Sequence, residues 1–372
     1  MKYDLLVVGA GLYGAVIAHE AQQSGHSVLV IDKRDHICGN CYVDRVNDDI
    51  PVHTYGAHIF HTDKKYVWDY VNQFTKFNAY THQVIAKSGT KLYSLPFSLR
   101  TLYDMWGISS VPAMLNFLEG QKTHTENPAN LEEQALNLVG YDIYKTLIKG
   151  YTEKQWGKKC TELPASIINR LPIRMTFDTR YFSDRYQGTA NYTNMIYKML
   201  IGCDLILNED FFKSREFYEN IARHIVFTGP IDEFFDYKFG ALEYRSLRFE
   251  TERHDIENYQ GNAVVNYVDR TVPYTRIIEH KHFSDIKINH TIITKEYPES
   301  WSVGKEPYYP LEAQGNIARY YQYKDYADMN CHNVTFGGRL GSYKYFDMDD
   351  TIDAALNECV KLGFRKSILQ VR

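Results

Sequence analysis

A chain of 372 residues, 44% hydrophobic and 24% charged, can bury one large core or two to three linked ones, and its composition is ordinary for a globular protein. The net charge of −4 excludes a general nucleic-acid binder, so any anion site has to be built from local arginines. No apolar run approaches the ~20 residues that span a bilayer, and the N-terminus enters a strand at once; neither membrane insertion nor a signal peptide is expected, and the cytoplasm is the expected compartment.

The first elements are the most informative. Leu5, Leu6, Val7 and Val8 predict a strand, followed by Gly9-Ala10-Gly11-Leu12-Tyr13-Gly14, a helical stretch to about Gly25, a second strand Val28–Ile31 and then Asp32. Strand, G-x-G-x-x-G, helix, strand and acidic residue in that order form a dinucleotide fingerprint. Gly9 allows the tight turn, Gly11 lets the backbone approach a pyrophosphate, and Gly14 permits close helix–strand packing. Asp32 is available to a ribose hydroxyl, and the helix N-terminus favours the phosphates. Residues 35–62 follow as a segment bearing glycine and histidine, expected to fold over the cofactor.

The six cysteines (38, 41, 160, 203, 331 and 359) are scattered, as suits a reducing compartment. Cys38 and Cys41 have redox or zinc spacing, but no second pair accompanies them, and two small residues in a loop against the cofactor suffice to explain them. His53, His58 and His61 have no carboxylate pattern beside them, so no metal is expected.

Residues from about 98 to 200 carry helical periodicity. Asn130 with Glu133 reads as a capping box opening a helix through Leu136, Val139, Ile143 and Leu147. Residues 242–297 turn β-rich, with runs 262–268 and 291–297 predicting an antiparallel sheet joined by a strand near 82–95. Segments 224–229 and 333–339 predict strands ending in glycine that return to the nucleotide domain. A last helix from about Asp350 to Leu362 carries Ile352, Ala355, Leu356, Cys359 and Val360 at helical spacing. Its start after a glycine turn favours FAD over NAD, because a helix N-terminus stabilises negative charge on a reduced flavin.

Five blocks then stand together: Tyr55-Gly-Ala-His-Ile-Phe-His-Thr62, Lys149-Gly-Tyr-Thr-Glu-Lys-Gln-Trp-Gly157, Val272-Pro-Tyr-Thr-Arg276, Glu306-Pro-Tyr-Tyr-Pro310 and the run Phe336 to Met348. In order and spacing the chain resembles bacterial UDP-galactopyranose mutases from first strand to last helix. The resemblance implies an α/β fold: an FAD-binding Rossmann-like domain (1–78, 197–236 and 325–372), an inserted helical domain with a mobile substrate lid (97–196), and an antiparallel β-sheet domain (79–96 and 237–324). It implies a flavin-dependent isomerase interconverting UDP-galactopyranose and UDP-galactofuranose. In that family, N5 of reduced FAD attacks the anomeric carbon, UDP leaves and returns, and there is no net redox change. A homodimer is implied, with an external reductant such as NAD(P)H or a reduced flavin, supplying galactofuranose for cell-surface polysaccharide. An FAD-dependent oxidoreductase acting on a nucleotide sugar is the alternative.

Residue by residue, the resemblance implies that Arg170 and Arg276 neutralise the diphosphate, with phenolic hydrogen bonds from Tyr181, Tyr309 and Tyr345, while Arg174 is a near decoy. Tyr151 stacks on uracil beside Trp156; Asn266 and His82 complete the substrate contacts. His58 and His61 lie against the flavin, where they bias N5, and His61 counts among the catalytic residues. Cofactor contacts come from Gly9, Gly11, Leu12, Gly14, Asp32, Lys33, Gly39, Asn40, His58, Ile59, His61, Phe211, Arg339, Phe346, Asp347 and Met348. Residues 163–174 are the expected lid. Two departures stand out: Cys38 replaces a family glycine, which strains the loop if that position needs positive φ, and the segment 187–193 is about two residues short.

Overall fold

The computed structural model describes residues 1–44, 49–170, 173–284 and 286–366, except for the side chains of 169 and 170. A five-stranded parallel sheet is built from β1 (Tyr3–Val8), β2 (Val28–Ile31), β9 (Asp204–Ile206), β10 (Ala222–Phe227) and β16 (Val334–Phe336), in the order β16-β10-β1-β2-β9. Every residue of β2 is buried, as expected of a central strand covered on both faces. One face is covered by α1 (Leu12–Gln23), α7 (Tyr192–Met199) and α12 (Met348–Lys361). The other is covered by an aromatic cluster that includes Phe211, Tyr218 and Phe234 from the segments around α8 (Arg215–Ile221) and α9 (Ile231–Phe234).

A second sheet of seven strands runs β15-β11-β14-β13-β12-β6-β7, with β6 (Val84–Ser88), β7 (Lys91–Leu95), β11 (Tyr244–His254), β12 (Val264–Tyr267), β13 (Arg276–Glu279), β14 (Thr291–Ser300) and β15 (Tyr309–Pro310). This corrects one expectation, because the sheet is not wholly antiparallel: β6 pairs with β12 in parallel. The two strands lie far apart in the chain, so no hairpin turn dictates their direction. Two small pairs complete the strands, β3 (Val43–Asp44) with β4 (Val52–His53) and β5 (Phe60–Thr62) with β8 (Tyr186–Gly188). The segment 187–193 thus ends a two-stranded ladder and then caps α7 through Asn191, whose side chain accepts from the Asn194 N–H.

The remaining helices are α2 (Lys65–Val71), α3 (Leu99–Trp106), α4 (Val111–Glu119), α5 (Leu131–Ile143), α6 (Gly150–Trp156), α10 (Gln314–Asn330) and α11 (Gly338–Gly341). The start of α5 follows expectation, with the Asn130 side chain accepting from the Glu133 N–H at 3.0 Å. Glu133 reaches back to the Ala129 N–H at 2.8 Å instead of to the Asn130 N–H. The regular helix does not run on to Leu147. Gly140 (φ 73°, ψ 179°) kinks it, and residues 144–149 form a π-helical turn before α6. A side chain at Gly140 would meet Gln121 Cβ at 2.9 Å, so neighbouring packing selects the kink that periodicity could not reveal. No helix among the described residues is long and apolar enough to cross a membrane.

Candidate functional site

The glycine loop joins β1 to α1 at the carboxyl edge of the parallel sheet, where such folds bind ligands. Gly9 has φ +112°, and a Cβ on Gly14 would lie 2.0 Å from the Gly9 carbonyl oxygen, so neither position accepts a side chain without rearrangement. The Asp32 carboxylate is fixed from both sides: Oδ2 accepts from the Ala10 N–H at 2.7 Å and Oδ1 from the Arg34 N–H at 2.9 Å. This loop borders a cavity of about 310 Å³. Of the residues expected to touch a cofactor, Gly9, Gly11, Leu12, Gly14, Asp32, Lys33, Gly39, Asn40, His58, Phe211, Arg339 and Met348 line it. The glycine cradle and the anchored acid fit an adenine dinucleotide.

A second cavity of about 480 Å³ adjoins the first, sharing Asn40, His58, Tyr308, Arg339 and Met348 with it. Ile59, His61, His82, Tyr151, Trp156, Tyr181, Asn266, Arg276, Tyr309, Tyr345 and Asp347 line this one. Phe346 lines neither; its carbonyl instead accepts from Arg339 Nη2 at 2.6 Å, so it contributes backbone to the arginine rather than a side chain to either cavity. The Arg170 side chain falls outside the described residues, as do residues 171–172 of the expected lid. Arg174 is bound to its own loop, with Nη2 donating to the Tyr181 carbonyl at 3.0 Å.

Arg276 dominates the electrostatics of the second cavity. Its Nη2 donates to the Tyr151 hydroxyl at 3.2 Å, and its Nε lies 3.1 Å from Glu296 Oε1. The Nε–H is poorly aligned with that carboxylate, so the contact is a charge pair more than a directed hydrogen bond. Burial opposes the arginine's charge, but Glu296 and then Tyr151 outweigh it and hold the guanidinium protonated. Glu296 is buried on β14 directly across from Arg276 on β13, and sequence reading passed over it. The strand carries Lys295 and Glu299 as well, so nothing local sets Glu296 apart; only the pairing register does. Tyr308 and Glu306 stood only as parts of a motif; Glu306 pairs with Lys33 and Arg34 at 2.8 Å each, tying the segment before β15 to the residues after β2.

The phenols are neutral hydrogen-bond donors. Burial raises Tyr181 to about 12 and raises Tyr151 and Tyr309 as well. Tyr309 and Tyr345 stand with ring centroids 5.8 Å apart, and the Arg339 guanidinium lies 4.8 Å from the Tyr345 ring. Asn266 Oδ1 is buried without a hydrogen-bond partner among the described residues, so the cavity offers a vacant acceptor to a ligand donor.

The histidines divide by role. His58 Nδ1 lies 2.8 Å from the Gly56 carbonyl, which can only accept, so Nδ1 carries the proton and Nε2 is an acceptor. Burial lowers His58 to about 4, against the Gly56 bond and helped by Arg339 and Arg276. Its backbone N–H donates to His53 Nδ1, and the His53 N–H donates to His280 Nδ1. His61 stacks on Phe182 at 3.7 Å, with Asp184 3.3 Å from its Nδ1, and the His82 ring lies 5.6 Å from that of Phe182. Among the described residues no group of three or more histidine, cysteine or acidic side chains could hold a metal ion. Lys154 locks the turn before Arg276: its ammonium donates to the carbonyls of Tyr267, Asp269, Val272 and Tyr274 at 2.7, 3.0, 2.9 and 2.8 Å.

The fold and its paired cavities define a dinucleotide-binding α/β protein of Rossmann type with a second, arginine- and tyrosine-lined cavity beside the first. A family model for NAD(P)-binding Rossmann-like domains matches residues 7–74, and one for UDP-galactopyranose mutase matches residues 146–345. A Klebsiella pneumoniae protein named "Probable UDP-galactopyranose mutase" is 40% identical, covering 95% of this chain and 93% of that one. An Escherichia coli protein named "dTDP-fucopyranose mutase" is 38% identical, covering 98% and 99%. A solved structure of reduced UDP-galactopyranose mutase superposes with a TM-score of 0.75 over 99% of this chain and 95% of its own, at 12% identity, which speaks to the fold. The chain belongs to the UDP-galactopyranose mutase family and is an enzyme of that family.

Proposed function

We propose that this enzyme interconverts UDP-galactopyranose and UDP-galactofuranose, with reduced FAD in the first cavity, the sugar nucleotide in the second and no net redox change. The observation that carries the reading is the juxtaposition: a half-buried, charge-fixed arginine and the phenols of Tyr151, Tyr181, Tyr309 and Tyr345 line a cavity that adjoins the dinucleotide cavity across His58, Arg339 and Met348. When bound, reduced FAD supplies the nucleophilic N5 that meets the anomeric carbon.

The protein's own part is electrostatic and geometric. Arg276, with Arg170 as its expected partner, neutralises the diphosphate that departs as the anomeric bond breaks, and a planar guanidinium suits the bidentate grip on phosphate oxygens. Tyr181, Tyr309 and Tyr345 donate to the same oxygens and keep them within reach for return. Tyr151 and Trp156 hold the base, and Asn266 accepts from a ligand N–H or O–H. The neutral His58 presents Nε2 as an acceptor toward the cofactor, while His61, backed by Asp184, lines the sugar side. Residues 163–174 close over the substrate and keep water out. The division into an FAD domain, a helical domain and a sheet domain, a homodimeric state and an external reductant belong to this reading and rest on the family resemblance, and a cytoplasmic location belongs to it as the compartment expected from the sequence.

The E. coli relative supports a second substrate reading, dTDP-fucopyranose, which lacks the 6-hydroxyl and carries a thymine base. Both readings are tested together. Dithionite-reduced, FAD-loaded protein is offered UDP-galactofuranose and dTDP-fucofuranose separately, with an unreduced control, and products are followed by anion-exchange chromatography. Conversion of UDP-galactofuranose after reduction, without stoichiometric consumption of reductant, is expected. Conversion of dTDP-fucofuranose alone moves the assignment to that sugar. Failure with both sugars overturns the mutase reading, and stoichiometric loss of reductant favours an oxidoreductase.

A further inference from the structure

Cys38 and Cys41 form a motif that the mutase chemistry leaves without a task. Cys38 precedes a 3₁₀ turn, Gly39–Cys41, and takes φ +80° to do so. The left-handed Cys38 and the turn that follows it bring the two thiols together. The Cys41 N–H donates to the Cys38 carbonyl at 3.1 Å, and the sulfur atoms lie 2.9 Å apart. A disulfide bond is about 2.05 Å long, so closure asks for a movement of under ~1 Å.

The place matters as much as the spacing. Both residues line the dinucleotide cavity, and their other sides are packed into the core of the parallel sheet. Cys38 is fully buried while Cys41 keeps 5% exposure, so Cys41 is the more reachable. The turn between them presses on the glycine loop: a Cβ on Gly39 would come within 3.0 Å of Gly11 Cα. Burial pushes the Cys38 thiol up and keeps it protonated at neutral pH.

We propose that Cys38 and Cys41 form a reversible intramolecular disulfide, and that a dinucleotide in the adjoining cavity shields the pair from oxidation. The oxidant is a small soluble disulfide of the glutathione class. Cys41 loses its proton and its sulfur attacks one sulfur of the reagent, breaking that S–S bond and releasing one small thiol. Cys38 then loses its proton and displaces the second small thiol from Cys41. Two protein thiols have given up two electrons and two protons, and one disulfide has become two thiols. The inference rests on the first cavity being the dinucleotide site and is independent of which sugar is turned over.

Flavin-loaded and flavin-stripped full-length protein, with occupancy read from flavin absorbance, are incubated with oxidised glutathione, quenched by alkylation and mapped by mass spectrometry. In the stripped protein the peptide spanning 38–41 is expected to lose two hydrogens and to regain them with dithiothreitol; in the loaded protein this is slower by on the order of 10-fold or more. In Cys38→Gly, where glycine suits the positive φ, Cys41 retains a glutathione adduct; in Cys41→Ala that peptide takes up none. No disulfide in either form, equal rates in both, or an adduct on Cys38 of Cys41→Ala overturns the proposal. The two wild-type arms decide it even where a variant fails to fold, and a sample inactive on both sugars is still scored by mass.

Discussion

The dinucleotide cavity is bordered by a glycine loop that leaves no room for added atoms, whereas the neighbouring cavity is lined by converging polar side chains. In the first, positive-φ glycines (Gly9, Gly39 and Gly338) and a helix N-terminus leave room for phosphates. In the second, Arg276, Glu296, Tyr151, Tyr181, Tyr309 and Tyr345 converge from separate strands, helices and loops. A backbone site is therefore damaged by adding atoms and a side-chain site by removing them.

That contrast is broken most severely at Gly14. A Cβ there lies 2.0 Å from a backbone oxygen that cannot yield, so Gly14→Ala should cut flavin affinity by on the order of 10³-fold, read from flavin retention on gel filtration and from titration of flavin absorbance. Arg276→Ala is the converse test in the other cavity. It leaves flavin absorbance unchanged but strands the buried Glu296 charge, and kcat/KM should fall by on the order of 10³-fold. Unimpaired turnover would break the assignment of Arg276 to the diphosphate. Glu296→Gln keeps shape and removes charge; a fall of roughly 10- to 100-fold in kcat/KM is expected as Arg276 loses its anchor. Tyr151→Phe removes one hydroxyl at 3.2 Å from Arg276 and should cost about 1 kcal/mol, or roughly 5-fold in kcat/KM.

Acid sharpens the same comparison through stability. Burial lowers His58 to about 4 and His82 and His280 to about 3, so between about pH 6.5 and those values the unfolded chain binds protons that the folded chain refuses. Stability contributed by these neutral histidines is full above about pH 6.5 and is lost as pH falls, by up to about 1.4 kcal/mol per pH unit for each. Urea midpoints measured from pH 7.5 to 4.5 should fall steadily, and a flat profile would contradict the buried, neutral assignment.

What the sequence disclosed follows the same division. The βαβ unit was legible because its information is local: apolar runs, glycine spacing and the following acid all lie within 32 residues, and each glycine does a steric task that leaves a mark. Arg276 and the tyrosines were legible only through the resemblance, since no local rule distinguishes them from other arginines and phenols. Glu296 escaped because its role depends on strand register; it faces Arg276 only because β13 and β14 pair as they do. Phe346 is placed by tertiary contacts for a like reason: its carbonyl supports Arg339 while neither cavity is lined by it. The parallel pairing of β6 with β12 and the kink at Gly140 were settled by partners distant in the chain.

By itself, then, the sequence determined the dinucleotide loop, the helices that cap it and the family to which the blocks point, because short-range sterics and periodicity act between residues close along the chain. Only the tertiary structure decided that two cavities share His58 and Arg339, that Glu296 fixes Arg276, and that two cysteine sulfurs meet behind the glycine loop, because those contacts join residues that chain spacing leaves unrelated or whose turn geometry only the folded backbone supplies.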